Sequence, residues 1–146
     1  MYSLNNEITE SFYKINKAIY RLIKKEADRL GITVVQLKAL YRISIYPDIG
    51  LGELAEKLRL TNSTVSGVID RLVQQELVVR SVPPENRRAI SLTITSKGME
   101  ILEKIASPDS LFYQKMESVI NLPKKEIQEL LRLHNLVLSK LSLDEE

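Results

Sequence analysis

The chain has 146 residues, 44% apolar and 27% charged, with no cysteine, one histidine and a net charge of +2. That length suits one compact domain or two small fused lobes, and the composition is that of a globular protein. It excludes disulfides, thiolate metal sites, thiol-based oxidant sensing and a histidine-rich zinc site within one chain; no apolar run approaches the ~20 residues that span a bilayer, so a cytoplasmic protein is expected.

Residues 5–29 predict a helix, because Ile8, Phe12, Ile15, Ile19 and Leu22 recur at steps of four and three with Lys and Arg between them. Gly31 supplies its stop. A second helix is expected over 34–46, with Thr33 and Gln36 as a capping box, Pro47 as terminator, and Leu37, Leu40, Tyr41 and Ile45 on its apolar side. A short third helix, 51–58, turns Leu51, Leu54, Ala55 and Leu58 inward. Thr61 or Asn62 caps a fourth, which runs to about Gln75 and buries Val65, Val68, Ile69 and Leu72. The period then changes. Leu77–Val82 and Ala89–Ile94 are rich in β-branched residues at a spacing near two, so they predict a hairpin. Its tip, Pro83-Pro84-Glu85-Asn86-Arg87-Arg88, is long and basic. Thr95 or Ser96 caps a fifth helix, which Ser107-Pro108-Asp109 interrupts before it resumes to about Ile120. A last helix, 124–142, follows Pro123 and carries Ile127, Leu130, Leu131, Val137, Leu138 and Leu141 on one side.

Three short helices followed by a two-stranded hairpin is the order of a winged helix-turn-helix. Ala55 is the small residue that lets the third helix cross the fourth, and Leu60, Val65 and Val68 fill the space between them. Arg59 stands where many such turns have glycine. The exposed side of the fourth helix begins with Asn62, Ser63, Thr64, Ser66 and Gly67. Short uncharged donors and acceptors near a helix N-terminus can read base edges in the major groove, and Gly67 permits close approach. The same residue types are ordinary helix caps. Arg71 suits either a phosphate or an ion pair with a neighbouring carboxylate. Folding gains little from Arg87 beside Arg88 on an exposed tip, whereas a minor groove attracts such side chains; a merely solubilising loop is the alternative. The charge distribution, a mildly basic front and an acidic tail, fits nucleic-acid binding or an ordinary solvated surface. Lys and Arg number eight against four Asp and Glu over 1–46, seven against five over 50–98, and six against nine over 99–146.

With these residues in place the chain resembles the multiple-antibiotic-resistance regulator (MarR) family. The resemblance is carried by Ile32–Leu40, Glu53-Leu54-Ala55, Val65–Arg80 and Asn86-Arg87-Arg88-Ala89-Ile90-Ser91-Leu92-Thr93-Ile94-Thr95-Ser96-Lys97-Gly98, and it extends over roughly 8–142. It implies a mainly α (α+β) fold: a winged helix-turn-helix DNA-binding lobe, 33–98, and a helical dimerisation lobe, 1–31 plus 99–146. It also implies a homodimeric regulator of transcription on a pseudo-palindromic duplex, most simply a repressor, with Arg88 in the minor groove and Arg87 on phosphate. The family wing usually has Asp two residues before that arginine; here Asn86 occupies the position and supplies no charge.

The candidate dimer surface combines the first helix with the fifth and the last, through Phe12, Ile19, Leu111, Phe112, Leu130, Val137 and Leu141. A closed monomeric bundle is the alternative. The resemblance further implies a small apolar or aromatic effector between the lobes, where Tyr13, Tyr20, Tyr41 and Tyr46 are candidates, although tyrosine also serves at the edge of a core. His134 falls near the apolar stripe of the last helix and reads as a core or interface residue. No cofactor or metal is expected. A winged helix that binds protein instead of DNA is the competing function. An enzyme is disfavoured, since no phosphate loop, paired-carboxylate motif or nucleophile–base set is present.

Overall fold

A computed structural model describes residues 2–82 and 90–143, with side chains from residue 6 onward. In chain order the elements are α1 (Tyr2–Leu30), α2 (Val34–Ile45), β1 (Ile49–Gly50), α3 (Leu51–Leu58), α4 (Asn62–Gln74), β2 (Val78–Ser81), β3 (Ser91–Ile94), α5 (Ser96–Ile105), α6 (Leu111–Ile120) and α7 (Lys124–Leu141). All the expected helices form, with the break at Ser107-Pro108-Asp109.

Local chemistry sets most of the boundaries. Gly31 ends α1 at φ +73°, a conformation that glycine adopts without Cβ strain, and the Ile32 N–H then returns to the Ala27 carbonyl at 3.0 Å. The capping box of α2 is complete: the Gln36 N–H donates to Thr33 Oγ1 at 3.1 Å, and the Thr33 N–H donates to Gln36 Oε1 at 3.0 Å. Gln36 is buried in the process, so its polar group needs those partners. Ser110 caps α6 through a single hydrogen bond, accepting from the Tyr113 N–H at 3.2 Å.

Arg59 closes α3 in the left-handed region, φ 54° and ψ 44°. A side chain there costs about 1 kcal/mol that glycine would not pay. Part of that is returned because glycine loosens the unfolded chain. Arg59→Gly is therefore expected to stabilise the fold by about 0.5 kcal/mol, seen as a small rise in the calorimetric midpoint. A fall would show that contacts of the arginine side chain outweigh its backbone strain.

Two expectations are corrected. Tyr41 and Ile45 do not line the buried side of α2; they are 53% and 44% exposed, and Ala39 and Ile43 turn inward with Leu37 and Leu40. The reason is that α2 packs at once against α1, α3, α4, α5 and β3. Neighbours on several sides rotate its buried face away from a single stripe. The sheet, moreover, has three antiparallel strands among the described residues, in the order β1-β3-β2, not two. Ile49 pairs with Leu92 and Gly50 with Ser91. Two residues carry no readable period; the pairing is held by burial of both Ile49 and Leu92.

The core lies between α2, α3, α4 and the sheet, around Leu40, Leu54, Val65, Ile69, Leu72 and Leu92. Each such side chain contributes about 1.5–3 kcal/mol through burial. The chain ends differ. α1 packs on α2 and α6, and Glu26 of α1, 3% exposed, accepts from the Leu111 N–H at the start of α6. Neither α6 nor α7 has a fully buried residue. Among the described residues no helix is long and apolar enough to cross a membrane.

Candidate nucleic-acid interface

The crossing of α3 and α4 is built as the residues suggest. Ala55 is buried where the two helices meet, Val65 is fully buried, and Leu60 and Val68 are half-buried against the same core. Thr61 caps α4: its Oγ1 accepts from the Thr64 N–H at 3.2 Å and its hydroxyl donates to Thr64 Oγ1 at 2.9 Å. The cap thus occupies one acceptor position of Thr64. Among the described residues, the side chains of Asn62, Ser63 and Ser66 make no hydrogen bond, which leaves their donors and acceptors for an incoming surface. Asn62 and Ser63 are exposed, and Ser66 is half-buried.

Gly67 is exposed, and a Cβ there would meet nothing within 4 Å. The fold does not require glycine at this position; alanine would favour the helix by about 1 kcal/mol. The bare backbone instead leaves room for another molecule. Ser63, Gly67, Asp70 and Gln74 form one outward strip at steps of three and four. The spacing from Ser63 carries this signal in the sequence, and Asp70 and Gln74 were not among the expected residues.

Arg71 is exposed and makes no ion pair among the described residues. It lines an open cleft of about 520 Å³ shared with Asp28, Thr33 and Gln36. Asp28, the carboxylate in that cleft, is held by Lys24 at 2.6 Å.

β2 and β3 pair antiparallel from Val78 opposite Ile94 to Ser81 opposite Ser91, and so define the two ends of the hairpin. Asn86, Arg87 and Arg88 lie outside the described residues. Arg80 of β2 donates through Nη2 to Oδ1 of Asp70, an ion pair that ties the outward side of α4 to the base of the hairpin.

Of the candidate dimer residues, Phe12, Leu130 and Leu141 are exposed, and Ile19, Leu111, Phe112 and Val137 are half-buried. Leu131 and Leu138 of α7 are 56% and 59% exposed. A closed bundle would bury this stripe, and the described residues of one chain do not. Tyr13, Tyr20, Tyr41 and Tyr46 are all exposed. The ammonium of Lys57 sits 4.0 Å from the Tyr46 ring centre, and that of Lys17 sits 5.7 Å from the Tyr13 ring centre. His134 is exposed on α7.

A crossed helix pair, a second helix with a polar outward start, and an antiparallel strand pair behind it define a winged helix-turn-helix protein. The profile of the MarR family matches residues 32–90 of the chain. Among curated relatives, the HTH-type transcriptional regulator YhbI of Bacillus subtilis is 30% identical over 101 residues, which are 66% of this chain and 66% of that protein. MhqR of the same organism, also an HTH-type transcriptional regulator, is 25% identical over 78% of this chain and 76% of its own length. The chain thus spans about two thirds to three quarters of the length of these relatives. Among solved structures, the apo form of MarR from E. coli superposes with a TM-score of 0.71 at 26% identity, over 89% of this chain and 95% of that one. A complex of S. aureus MepR with DNA gives a TM-score of 0.73 at 21% identity, over 91% and 97%; at that identity the likeness concerns the fold.

Proposed function

We propose that this chain is a sequence-specific regulator of transcription that binds duplex DNA as a homodimer and represses by occupying a pseudo-palindromic site. The observation that carries the reading is the outward side of α4: uncommitted polar side chains and a bare Gly67 backbone, beside a strand pair that leads to Arg87 and Arg88. Asn62, Ser63, Thr64, Ser66 and Gly67 meet base edges, Arg71 meets phosphate, and the tip enters the minor groove. Residues 33–98 form the DNA-binding lobe. Residues 1–31 with 99–146 form the dimerisation lobe, because the apolar stripe of α7 finds no cover among the described residues of one chain. Two-fold symmetry then sets the two reading helices about one helical turn apart. The protein works as a binder and not a catalyst, in the cytoplasm. Repression needs only occupancy, and a small apolar or aromatic effector that binds beside the exposed tyrosines would relieve it. Among relatives, MdtR of B. subtilis is named a transcriptional repressor.

The test is selection of bound duplexes from a random pool, followed by affinity measured across salt. Log affinity should fall with a slope of about −0.9 per phosphate neutralised. Arg88→Ala is expected to cost about 1–3 kcal/mol of binding while the dimer persists in sedimentation. Binding that is absent, or independent of salt, would favour a winged helix that docks on protein. Unchanged affinity in the arginine variant would remove the tip from the interface.

A further inference from the structure

Asp70 is the only acidic residue of α4, and it stands on the outward strip seven residues after Ser63 and three after Gly67. Its side chain is 57% exposed, so the core does not demand it. A carboxylate beside a DNA face repels phosphate. Its partner is Arg80, whose side chain is 34% exposed on β2, an edge strand of the sheet among the described residues. Among the described residues the Arg80 side chain makes one hydrogen bond, from Nη2 to Asp70. A guanidinium has five N–H donors in a rigid fork, so most of them stay available.

We propose that Asp70 is a positioning residue that aims Arg80 at a DNA backbone phosphate between the groove read by α4 and the groove reached by the hairpin tip. The inference rests on the DNA-binding reading above. An arginine on an edge strand samples many rotamers. Pairing with Asp70 restricts those rotamers before DNA arrives, so less freedom is lost on binding. The same pair spans from helix to strand and holds the two reading elements in fixed relation. It therefore turns a repelling carboxylate into part of the recognition surface.

The experiment measures affinity for a duplex recovered by the wild-type protein from the random pool, between about 50 and about 200 mM salt. Arg80→Gln is expected to weaken binding about tenfold and to flatten the logarithmic salt slope by about 0.9, the share of one phosphate. Asp70→Asn removes a negative charge and is nevertheless expected to weaken binding several-fold. Arg80→Lys, which keeps the charge but not the fork, should fall between wild type and Arg80→Gln. The double variant Asp70→Asn/Arg80→Gln should bind no more weakly than Arg80→Gln alone, because Asp70 acts through Arg80. Thermal melts of each variant check the fold, and the exposure of both side chains predicts little change. Asp70→Asn binding as tightly as wild type, or tighter, overturns the positioning role and leaves the DNA-binding reading intact. An unchanged salt slope in Arg80→Gln overturns the phosphate contact. A wild-type protein that recovers no duplex overturns both readings.

Discussion

Gly98→Ala is expected to destabilise the fold by about 3 kcal/mol. Gly98 lies in the first turn of α5 and is buried. A Cβ at this position would stand 2.5 Å from the Leu77 carbonyl oxygen and 2.7 Å from Ile94 Cγ1. The isoleucine can rotate, but the carbonyl is held. It accepts the Thr95 N–H at 3.0 Å. Thr95 is in turn the cap of α5: its Oγ1 accepts the Gly98 N–H at 3.1 Å and donates to the Glu76 carbonyl at 2.7 Å. Moving any one of these groups strains the others. Overpacking of a core costs about 1–3 kcal/mol, and a lost buried hydrogen bond costs a similar amount. Alanine returns about 1 kcal/mol of helix propensity. The calorimetric midpoint should fall by about 6–12 °C. A variant that melts within a degree or two of wild type would mean that this junction of β2, β3 and α5 is looser than its distances indicate.

Glu26→Ala is expected to cost about 2 kcal/mol. Its Oε2 accepts from Arg29 Nε at 2.9 Å and Nη2 at 2.7 Å, and its Oε1 accepts from the Leu111 N–H at 2.9 Å. Truncation leaves the Leu111 N–H without its acceptor at a position only 3% exposed and unties α1 from α6, whereas Arg29, whose side chain is 46% exposed, can turn to water. Burial pushes the Glu26 carboxyl up. Hydrogen bonds from Arg29 and from the backbone of Leu111 and Phe112 outweigh it and hold the group below its ordinary value of 4.5. The folded form thus binds a proton less readily than the unfolded chain. The carboxylate's contribution is complete above the unfolded value and is lost as pH falls through the lower, folded value. Urea titrations across acid pH should show wild type losing stability below about pH 4.5 more steeply than Glu26→Gln, which has no proton to take up there. Parallel acid limbs in the two proteins would show that the carboxylate is not engaged.

Much of this architecture was legible because it is encoded by neighbours in the chain. Thr33 with Gln36, Gly31, Thr61, Thr95 and Pro108 punctuate the helices by local hydrogen bonding and backbone geometry. The outward placement of Asn62, Ser63 and Gly67 follows from the helical period once Val65, Ile69 and Leu72 are taken as the buried side. Arg59 stood out where glycine is usual, and its left-handed conformation explains why. Long-range pairings left no such trace. Asp70 with Arg80 is ten residues apart across two elements, and Glu26 with Leu111 is 85 apart. Gly98 could be noted in a motif, but the carbonyl that forbids a side chain belongs to Leu77.

The amino-acid order by itself determined the helices, the strand pair and the polar start of α4, because each depends on residues within a turn or two of one another. Only the tertiary structure decided that Tyr41 and Ile45 face outward, that Ile49 adds a third strand, and that Asp70 and Glu26 have partners. Those outcomes depend on which surfaces meet after the chain has closed, and burial and pairing between distant segments are set by packing, not by period.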